Sequence, residues 1–354
     1  MNFGLIYRVA ATAVACVLGA GFVSGQELWQ YFGSYGAVGV LGAGVAVLIF
    51  CLASASVLWY AGETGEGTME GLISPSKNVI VKWFVIGFEC SMHYILYILM
   101  AAATGALGER FGLPVWVGSV FFCVLSTTVS MFGIKGLMKV FGWMVPILTL
   151  AAVAVAAFSL MLPEDALPVA DAASSPLTGN WLISSLNYFC FNFVGSVPIL
   201  VAAAHSVRGQ KGIGIGALLA ALPLGGLAIF LLVALMAHPG AAAYELPMME
   251  LAAACGPVFE YTYAILLLGG IFATGFSSQG ALNNYITGMG VKNKTVLLAV
   301  SVAMSVIAFL IALLGFKDLV GLLYPILGYI GIIPITAILV RAGICFVKKK
   351  RRQE

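Results

Sequence analysis

Charged side chains are scarce in this sequence. Of its 354 residues only 9% are Asp, Glu, Lys or Arg, whereas 62% are hydrophobic, and the mean hydropathy is +1.07. So few charges cannot cover the surface of a water-soluble globule, which excludes a soluble globular protein. The sequence therefore predicts an integral membrane protein whose main partner is the lipid bilayer.

The residue sets that carry enzyme chemistry are also missing. Only three histidines occur (His93, His205 and His238), and none of the seven cysteines forms a CxxC pair or has a histidine at metal-ligand spacing. There is no nucleotide-binding glycine loop and no Ser/His/Asp set. We therefore expect no enzymatic activity and no resident cofactor. The net charge of +3 does not indicate a nucleic-acid partner, because the basic residues lie in connections and a terminal cluster.

What the sequence does contain is long, continuous apolar segments. About 20 apolar residues in a helix cross a hydrocarbon layer ~30 Å thick, and runs without alternation argue against a membrane barrel. We predict an all-α protein with ten spans at 5–33 (broken), 36–61, 79–106, 114–132, 138–162, 180–206 (broken), 213–237, 256–288, 295–315 and 318–346.

The basic residues support this division and indicate its orientation. Ten spans place both termini on one side, and short cytoplasmic segments carry an excess of Lys and Arg. With both termini cytoplasmic, 15 of the 17 basic residues lie in inner segments, and only Arg110 and Lys317 lie outside. We predict a multi-pass protein of the plasma (inner) membrane of a bacterium.

The outer connection after residue 162 divides the chain into two sets of five helices. We assign residues 1–162 to a first repeat, 163–179 to an extracellular linker, 180–346 to a second repeat and 347–354 to a basic cytoplasmic tail. Because five is odd, the two halves have opposite orientations in the bilayer, an arrangement found in many secondary transporters.

The first span contains a segment that disfavours a helix. Gly19–Glu27 (GAGFVSGQE) has three glycines in seven residues, and each costs about 1 kcal/mol relative to alanine. Irregular backbone at membrane depth is tolerated only where it is buried in protein or lines a wet cavity. We predict a break here. The polar Gln26 and Glu27 follow it, and an intramembrane carboxylate is a candidate functional group.

The sixth span repeats this anomaly at Gly195, Ser196 and Pro198. Proline removes a backbone donor and disfavours a helix at the preceding residue. We therefore predict a second broken helix at the corresponding position of the second half. Paired interruptions in an inverted repeat predict a substrate site between them.

Two ionisable residues share one face of the third span. Glu89 and His93 are four residues apart in a predicted helix. Either the imidazole satisfies a buried carboxylate, or the pair handles protons. Together with Glu27 they are the candidates for proton coupling.

The eighth span carries Thr274, Ser277 and Ser278. Hydroxyls in membrane helices usually bond to their own backbone. These hydroxyls and a carbonyl also offer the oxygen ligands that a hard, singly charged cation requires. A metal site beyond sodium is not expected.

The predicted cytoplasmic connection 62–71 is rich in glycine and glutamate. It is either a solvated linker or a segment with a regulatory role. The sequence leaves both interpretations open.

The segment Gly19–Glu27 resembles the GAGFxSGQE signature of the YkvI family of bacterial membrane proteins, within the amino acid/polyamine/organocation (APC) transporter superfamily. The resemblance covers nearly all of the chain. It implies a leucine-transporter (LeuT) fold of five plus five inverted helices with helices one and six broken. Amino acids are the superfamily's commonest cargo, so a small amino acid or related amine is the implied substrate.

The resemblance also implies a substrate site. Free N–H groups at the start of the outer half of helix one would meet a substrate carboxylate at the positive end of a helix dipole. Carbonyls and an amide side chain on helix six would meet an ammonium group. The implied residues are Gly19, Ala20, Gly21, Phe22, Gln26, Phe191, Asn192, Gly195 and Ser196.

A sodium site is implied in the same way. Residues 274–278 are similar to the sodium-binding stretch of the eighth helix in sodium-coupled relatives. The Thr274 carbonyl and the Ser277 and Ser278 hydroxyls would bind the ion together with carbonyls of Ala15 and Leu18.

Three functional hypotheses fit these features. The first is a sodium-coupled symporter for a small amino acid or related amine that works by alternating access. The second keeps the fold but couples transport to protons through Glu27, Glu89 and His93. The third is a non-transporting membrane sensor or channel with a ligand pocket.

Overall fold

The long apolar segments of the sequence form α-helices. The computed structural model describes residues 19–74, 78–132, 135–163, 167, 175–204 and 213–351, together with Gly4, and these residues form no β-strand. The helices are α1 (Ala20–Ser24), α2 (Gln26–Tyr31), α3 (Ala37–Thr64), α4 (Met69–Ile73), α5 (Val79–Arg110), α6 (Val115–Phe132), α7 (Lys135–Ser159), α8 (Trp181–Ala204), α9 (Ile213–Ala237), α10 (Pro247–Ala254), α11 (Pro257–Gly288), α12 (Lys294–Ala312) and α13 (Phe316–Arg351).

Six of these helices are long and apolar enough to cross a membrane: α3, α5, α8, α11, α12 and α13. Shorter apolar stretches lie within α6, α7 and α9. Large apolar side chains face outward, for example Leu41, Trp116 and Val258, which are 65%, 55% and 78% exposed. Such a surface suits hydrocarbon rather than water. The chain is therefore a multi-pass helical membrane protein.

The predicted spans two to ten correspond to helices whose bounds differ by a few residues from the prediction. The span predicted at 213–237 is α9 (Ile213–Ala237), and the span predicted at 79–106 is the longer α5 (Val79–Arg110). The first predicted span lies partly outside the described residues, since 5–18 are not among them.

The predicted break in the first span is confirmed, and it lies at Gly25. This residue has φ 84° and ψ −13°, in the left-handed region, and separates α1 from α2. A side chain there is strained. A Cβ atom would also overlap Met248 Cγ and press on Leu235 Cδ1. The position therefore requires glycine for both conformation and space.

The predicted break in the sixth span is wrong. α8 runs as one α-helix from Trp181 to Ala204, with Pro198 inside it. Proline removes one backbone donor, but the loss of one bond does not interrupt a helix that neighbouring helices support. Close packing on both sides supplies that support, because α8 contacts α3 and α13 along their lengths.

A buried helix that the sequence analysis did not predict lies between α9 and α11. A 3-10 turn (Pro239–Ala243) leads into α10, where Met248, Met249 and Leu251 are fully buried. α10 packs against α1, and Met248 contacts Gly25. This connection therefore covers the break between α1 and α2.

The glutamate-rich connection 62–71 is partly helical. α3 continues to Thr64, and α4 begins after Thr68, whose hydroxyl accepts a hydrogen bond from the Gly71 N–H (3.2 Å). Met69 and Leu72 of α4 are buried. The segment packs against the bundle, so a wholly solvated linker is not what the structure contains.

Candidate functional site

Side chains replace the backbone bonds lost at the break between α1 and α2. The Ser24 hydroxyl donates to the Gly21 carbonyl (2.6 Å) and accepts from the Gln26 N–H (3.3 Å). The Tyr263 hydroxyl, from α11, donates to the Val23 carbonyl. In an uninterrupted helix this carbonyl would accept from the N–H four residues on. The break is thus a satisfied, tightly packed structure.

The first turn of α1 has backbone N–H groups without an acceptor among the described residues. Gly19 is the extended N-cap (φ −90°, ψ 177°), and the first bond within the turn runs from the Val23 N–H to the Gly19 carbonyl (3.2 Å). Among the described residues, the N–H groups of Ala20, Gly21 and Phe22 have no acceptor. All three residues are buried.

Glu27, on α2, folds back against this turn. Its side chain is 4% exposed. A Cβ atom on Gly21 would overlap a Glu27 carboxylate oxygen and lie within 3.1 Å of the Tyr324 hydroxyl. That hydroxyl, from α13, hydrogen-bonds the carboxylate. Glu27 takes part in none of the ion pairs formed by the described residues. It is a buried acid with no basic partner in the described chain.

Aromatic rings from three helices surround this carboxylate. Tyr31, Tyr188 and Tyr324 are each close enough to interact with it electrostatically. Tyr31 and Tyr188 meet edge to face with ring centroids 5.1 Å apart. Phe191 stacks on Tyr324 at 4.1 Å. We call Tyr31, Tyr188, Phe191 and Tyr324 the aromatic wall.

Asn187 fixes the orientation of this wall. Its side-chain oxygen accepts from the Tyr31 hydroxyl (3.2 Å), and its amide donates to the Pro325 carbonyl (2.9 Å). Gly328 lets α13 approach Asn187, because a Cβ atom at that position would overlap the amide. A single asparagine on α8 therefore positions α2 and α13 relative to each other.

A small cavity lies beside the wall. Its volume is about 30 Å³, and it is lined by Phe22, Tyr188 and Asn192 among mainly apolar side chains. A water needs about 10–15 Å³ of such volume, so the cavity has room for one or two waters. Its other lining residues are Phe32, Ala43, Ala46, Val47, Phe50, Phe189, Leu224 and Ala228.

The structure brings part of the predicted substrate site together. Phe22 and Asn192 line the same cavity, and Phe191 belongs to the aromatic wall next to Glu27. Gln26 is fully buried, and neither of its amide atoms has a hydrogen-bond partner among the described residues. The predicted region is therefore a real cluster of buried polar and aromatic groups.

The residues predicted from a broken sixth helix have different roles. The Asn192 amide donates to the Tyr188 carbonyl (3.2 Å), and the Ser196 hydroxyl donates to the Asn192 carbonyl (3.1 Å). A Cβ atom on Gly195 would overlap Met92, so this glycine allows α5 to approach α8. Because α8 is continuous, the carbonyls near Phe191 are not released for an ammonium group.

The predicted sodium ligands are described only in part. On α11 the Ser277 hydroxyl donates to the Thr274 carbonyl (2.8 Å), so these two groups satisfy each other. Ser278 is buried, and its hydroxyl makes no hydrogen bond within the described chain. The other two predicted ligands, Ala15 and Leu18, lie outside the described residues.

The partner of Glu89 is a tyrosine that the sequence analysis missed. The Tyr285 hydroxyl, from α11, donates to the Glu89 carboxylate. The His93 Nδ1 atom lies 2.8 Å from the Glu89 backbone carbonyl, and its ring packs 6.2 Å from Tyr285. The prediction that the imidazole satisfies the carboxylate is therefore wrong. A helix spacing of four residues also permits the backbone contact that forms here.

The two basic residues predicted outside, Arg110 and Lys317, both contact acidic residues, and the Lys317 ammonium group donates to the carbonyls of Ala242 (3.2 Å) and Ala243 (3.3 Å). Arg110 forms ion pairs with Glu250 (3.5 Å) and Glu260 (2.9 Å). The Glu245 carboxylate accepts from the Lys317 backbone N–H (2.7 Å) at the start of α13. Burial raises the pKa of both Glu245 and Glu250, while Lys317 and Arg110 oppose the rise. These contacts fasten α10 and its neighbours to the ends of α5, α11 and α13.

Fold and site together define a class: a multi-pass helical membrane protein with a buried carboxylate and an aromatic wall at a helix break. Within that class the chain is similar to the uncharacterized membrane protein YkvI of Bacillus subtilis (strain 168), with 24% identity over 343 residues, which are 95% of this chain and 96% of that protein. It is also similar to the uncharacterized protein YyaD of the same organism, with 22% identity over 324 residues, 89% of this chain and 90% of that protein. No protein-family profile matches the chain. The chain is thus a membrane protein that is similar to YkvI over nearly its whole length.

Proposed function

We propose that this protein is a secondary active transporter that carries a small amino acid or related amine across a bacterial plasma membrane by alternating access. The observation that carries the proposal is Glu27. It is an almost fully buried carboxylate without a basic partner in the described chain, at a helix break inside a multi-pass bundle. Intramembrane acids and broken helices mark substrate and ion pathways.

The proposal rests on one helix break rather than two. Because α8 is continuous, the second predicted interruption is absent from it and does not support the proposal. The support that remains is the break at Gly25, the free donors of α1, the buried Gln26 and the aromatic wall. Buried polar groups without partners are costly in a membrane, so their concentration at one place favours a ligand site.

The pairing of the helices supports two inverted halves. If the halves are residues 1–162 and 180–346, then α3, α5, α6 and α7 correspond to α9, α11, α12 and α13. Three contacts join corresponding helices: α3 with α9, α5 with α11 and α6 with α12. Eight more contacts form four exchanged pairs: α5–α12 with α11–α6, α11–α7 with α5–α13, α9–α7 with α3–α13, and α5–α6 with α11–α12. A LeuT-like repeat with both termini cytoplasmic accounts for this pattern, and rocking of one half against the other would alternate access.

Sodium is the coupling ion in this proposal. α1 packs against α11, where the Thr274 carbonyl and the Ser277 and Ser278 hydroxyls lie within two turns of helix. An ion bound there would replace the Ser277–Thr274 hydrogen bond and use the buried Ser278 hydroxyl. Oxygen ligands of this kind suit a hard cation.

A proton-coupled transporter is the second candidate, and the Glu89–Tyr285 contact favours it. This carboxylate on α5 is bonded to a hydroxyl on α11, so a change in its protonation alters a contact between two helices. His93 lies against the same pair. Glu27 and Glu89 would be the proton carriers.

Uptake into proteoliposomes tests the proposal and separates the two couplings. We expect a sodium gradient to drive accumulation of at least one amine-bearing solute, and the S277A/S278A double variant to lose this dependence. Accumulation driven by a pH gradient alone, unchanged in the double variant, would establish proton coupling instead. Ligand binding without accumulation under either gradient would identify a sensor or channel and contradict the transporter.

A further inference from the structure

The Glu27 carboxylate occupies the surface that a substrate carboxylate was predicted to reach. One of its oxygens lies against the Cα atom of Gly21, in the first turn of α1, whose N–H groups are the predicted anion donors. A second carboxylate brought to the same turn would meet Glu27 in a buried environment. Two like charges close together in low dielectric repel strongly. When Glu27 is ionised, the site is therefore unsuited to the acidic group of an amino acid.

The same geometry suits a cation. A carboxylate has about four lone-pair positions, and Tyr324 occupies one of them. A buried charge is normally paired with an opposite charge, yet Glu27 has no basic partner in the described chain. The rings of the aromatic wall lie next to it, and a cation is attracted to the face of an aromatic ring.

We propose, resting on the proposed function, that the cargo is recognised by one positive charge: a protonated amine held between the Glu27 carboxylate and the aromatic wall, with no requirement for a carboxylate on the cargo. The fully buried Gln26 amide and the Asn192 side chain supply further polar contacts for the rest of a small molecule. The cavity of about 30 Å³ is too small for such a molecule, so binding requires the aromatic wall or α1 to move outward.

Protons compete with the cargo at this carboxylate. The titratable groups that face Glu27 in the described structure are Tyr31 of its own helix, Tyr188 of α8 and Tyr324 of α13. All three are phenols, which are neutral below about pH 10, so none of them supplies a positive charge. A protonated carboxyl group cannot bind an ammonium ion as an anion does, so acid weakens cargo binding.

A thermal-shift measurement on the purified full-length protein tests this inference with matched ligands. The set is leucine, isoamylamine and 4-methylpentanoate, which share one carbon skeleton and carry both charges, only the amine and only the carboxylate. We expect isoamylamine to raise the melting temperature at least as much as leucine does, and 4-methylpentanoate to have no effect. Stabilisation by leucine alone, or by 4-methylpentanoate, would overturn the inference. So would the absence of a shift with any amine across a panel of such sets.

Two variants test whether Glu27 itself binds the amine. In E27Q we expect the amine to bind roughly a hundredfold more weakly, the size of loss that follows from removing one member of a buried charge pair. E109Q makes the same chemical change at an exposed position at the end of α5 and keeps wild-type affinity. E27Q itself is expected to melt no lower than the wild type, because glutamine has nearly the shape of glutamate and carries no charge to bury. An E27Q protein that is folded and binds the amine as tightly as the wild type would overturn the inference.

The pH dependence gives an independent readout. Where Glu27 takes up a proton, amine affinity should fall about tenfold per pH unit as the pH is lowered, and this slope should vanish in E27Q. A wild-type affinity that is constant over the accessible pH range would overturn the proton competition. Amine binding without transport would contradict the proposed function but not this inference. Transport of leucine that requires its carboxylate would support the proposed function and overturn this inference.

Discussion

At the scale of single residues, the site depends on a glycine that no other residue replaces. Gly25 turns the chain by adopting φ 84°, and Met248 and Leu235 fill the space in which a Cβ atom would lie. The turn is what lets the Glu27 side chain reach back to Gly21. The position of the carboxylate is therefore set by a backbone conformation, and the conformation by the absence of a side chain.

Gly25→Ala should destabilise the protein by about 2–5 kcal/mol. Left-handed backbone costs a non-glycine residue about 1–2 kcal/mol, and overpacking adds about 1–3 kcal/mol. Gly65→Ala is the matched control, because Gly65 has φ 74° but nothing within 4 Å of its Cβ position. It should lose only the conformational part. Unfolding in detergent measures both variants, and equal losses would contradict the packing around Gly25.

Glu245 should make the stability of the protein depend on pH. Burial raises the pKa of this carboxyl group above its ordinary value of 4.5, and Asp318 adds to the rise. The folded state therefore binds the proton more tightly than the unfolded state, so the free energy of unfolding falls as the pH rises above about 4.5. Glu245→Gln cannot ionise and should flatten this part of the profile in thermal melts at a series of pH values. An unchanged slope would contradict the burial of the charge.

Sequence reasoning at this scale found the residues but not their partners. The glycines and the polar pair after them identified Glu27, because such residues are costly in a membrane helix. Tyr324 and Tyr285, which hydrogen-bond the Glu27 and Glu89 carboxylates, could not be found in this way. A tyrosine in an apolar span is common, and which carboxylate it meets is decided by tertiary packing between distant segments.

At the scale of elements, hydrophobic length determined the helices well. The bounds of α9 and α11 differ from the predicted spans by at most one residue, because an apolar run ends where the helix leaves the hydrocarbon. The two short helices α4 and α10 were missed. Each is stabilised by burial against the bundle rather than by its own sequence, and helices of this length are marginal in isolation.

α8 shows why a proline is weak evidence for a break. Pro198 lies inside a helix that is continuous from Trp181 to Ala204, and its ring is exposed. At Gly25, in contrast, a positive φ angle and a change of helix coincide. A proline removes one donor, whereas a left-handed residue changes the direction of the chain.

Pro198→Ala should therefore leave amine binding intact and raise the melting temperature slightly. The gain in free energy should be smaller than the ~3 kcal/mol that proline costs in soluble helices, since neighbouring helices already compensate in a membrane. Pro223→Ala, an exposed proline inside α9, is the control. A loss of binding in the first variant but not in the second would mean that the helix opens at Pro198 during function.

At the scale of the whole molecule, the helix contacts are alike in the two proposed halves, whereas the candidate site lies at a break in one helix. If the two proposed halves are exchanged, the contacts among α3, α5, α6, α7, α9, α11, α12 and α13 are preserved, but the break at Gly25 has no counterpart in α8. The carboxylate, the free donors of α1 and α10 above them all belong to the broken helix or cover it. Movement of this helix against α8 and α13 is therefore the step at which we expect the cargo to enter or leave.

The most direct measurement is counterflow of labelled isoamylamine into proteoliposomes loaded with the unlabelled amine. It requires a binding site that faces alternate sides, and it needs no assumption about the coupling ion. The account predicts transient accumulation by the wild type and by E109Q, and none by E27Q protein that is folded and reconstituted. Accumulation by E27Q equal to that of the wild type, or none by the wild type although the amine binds, would contradict it.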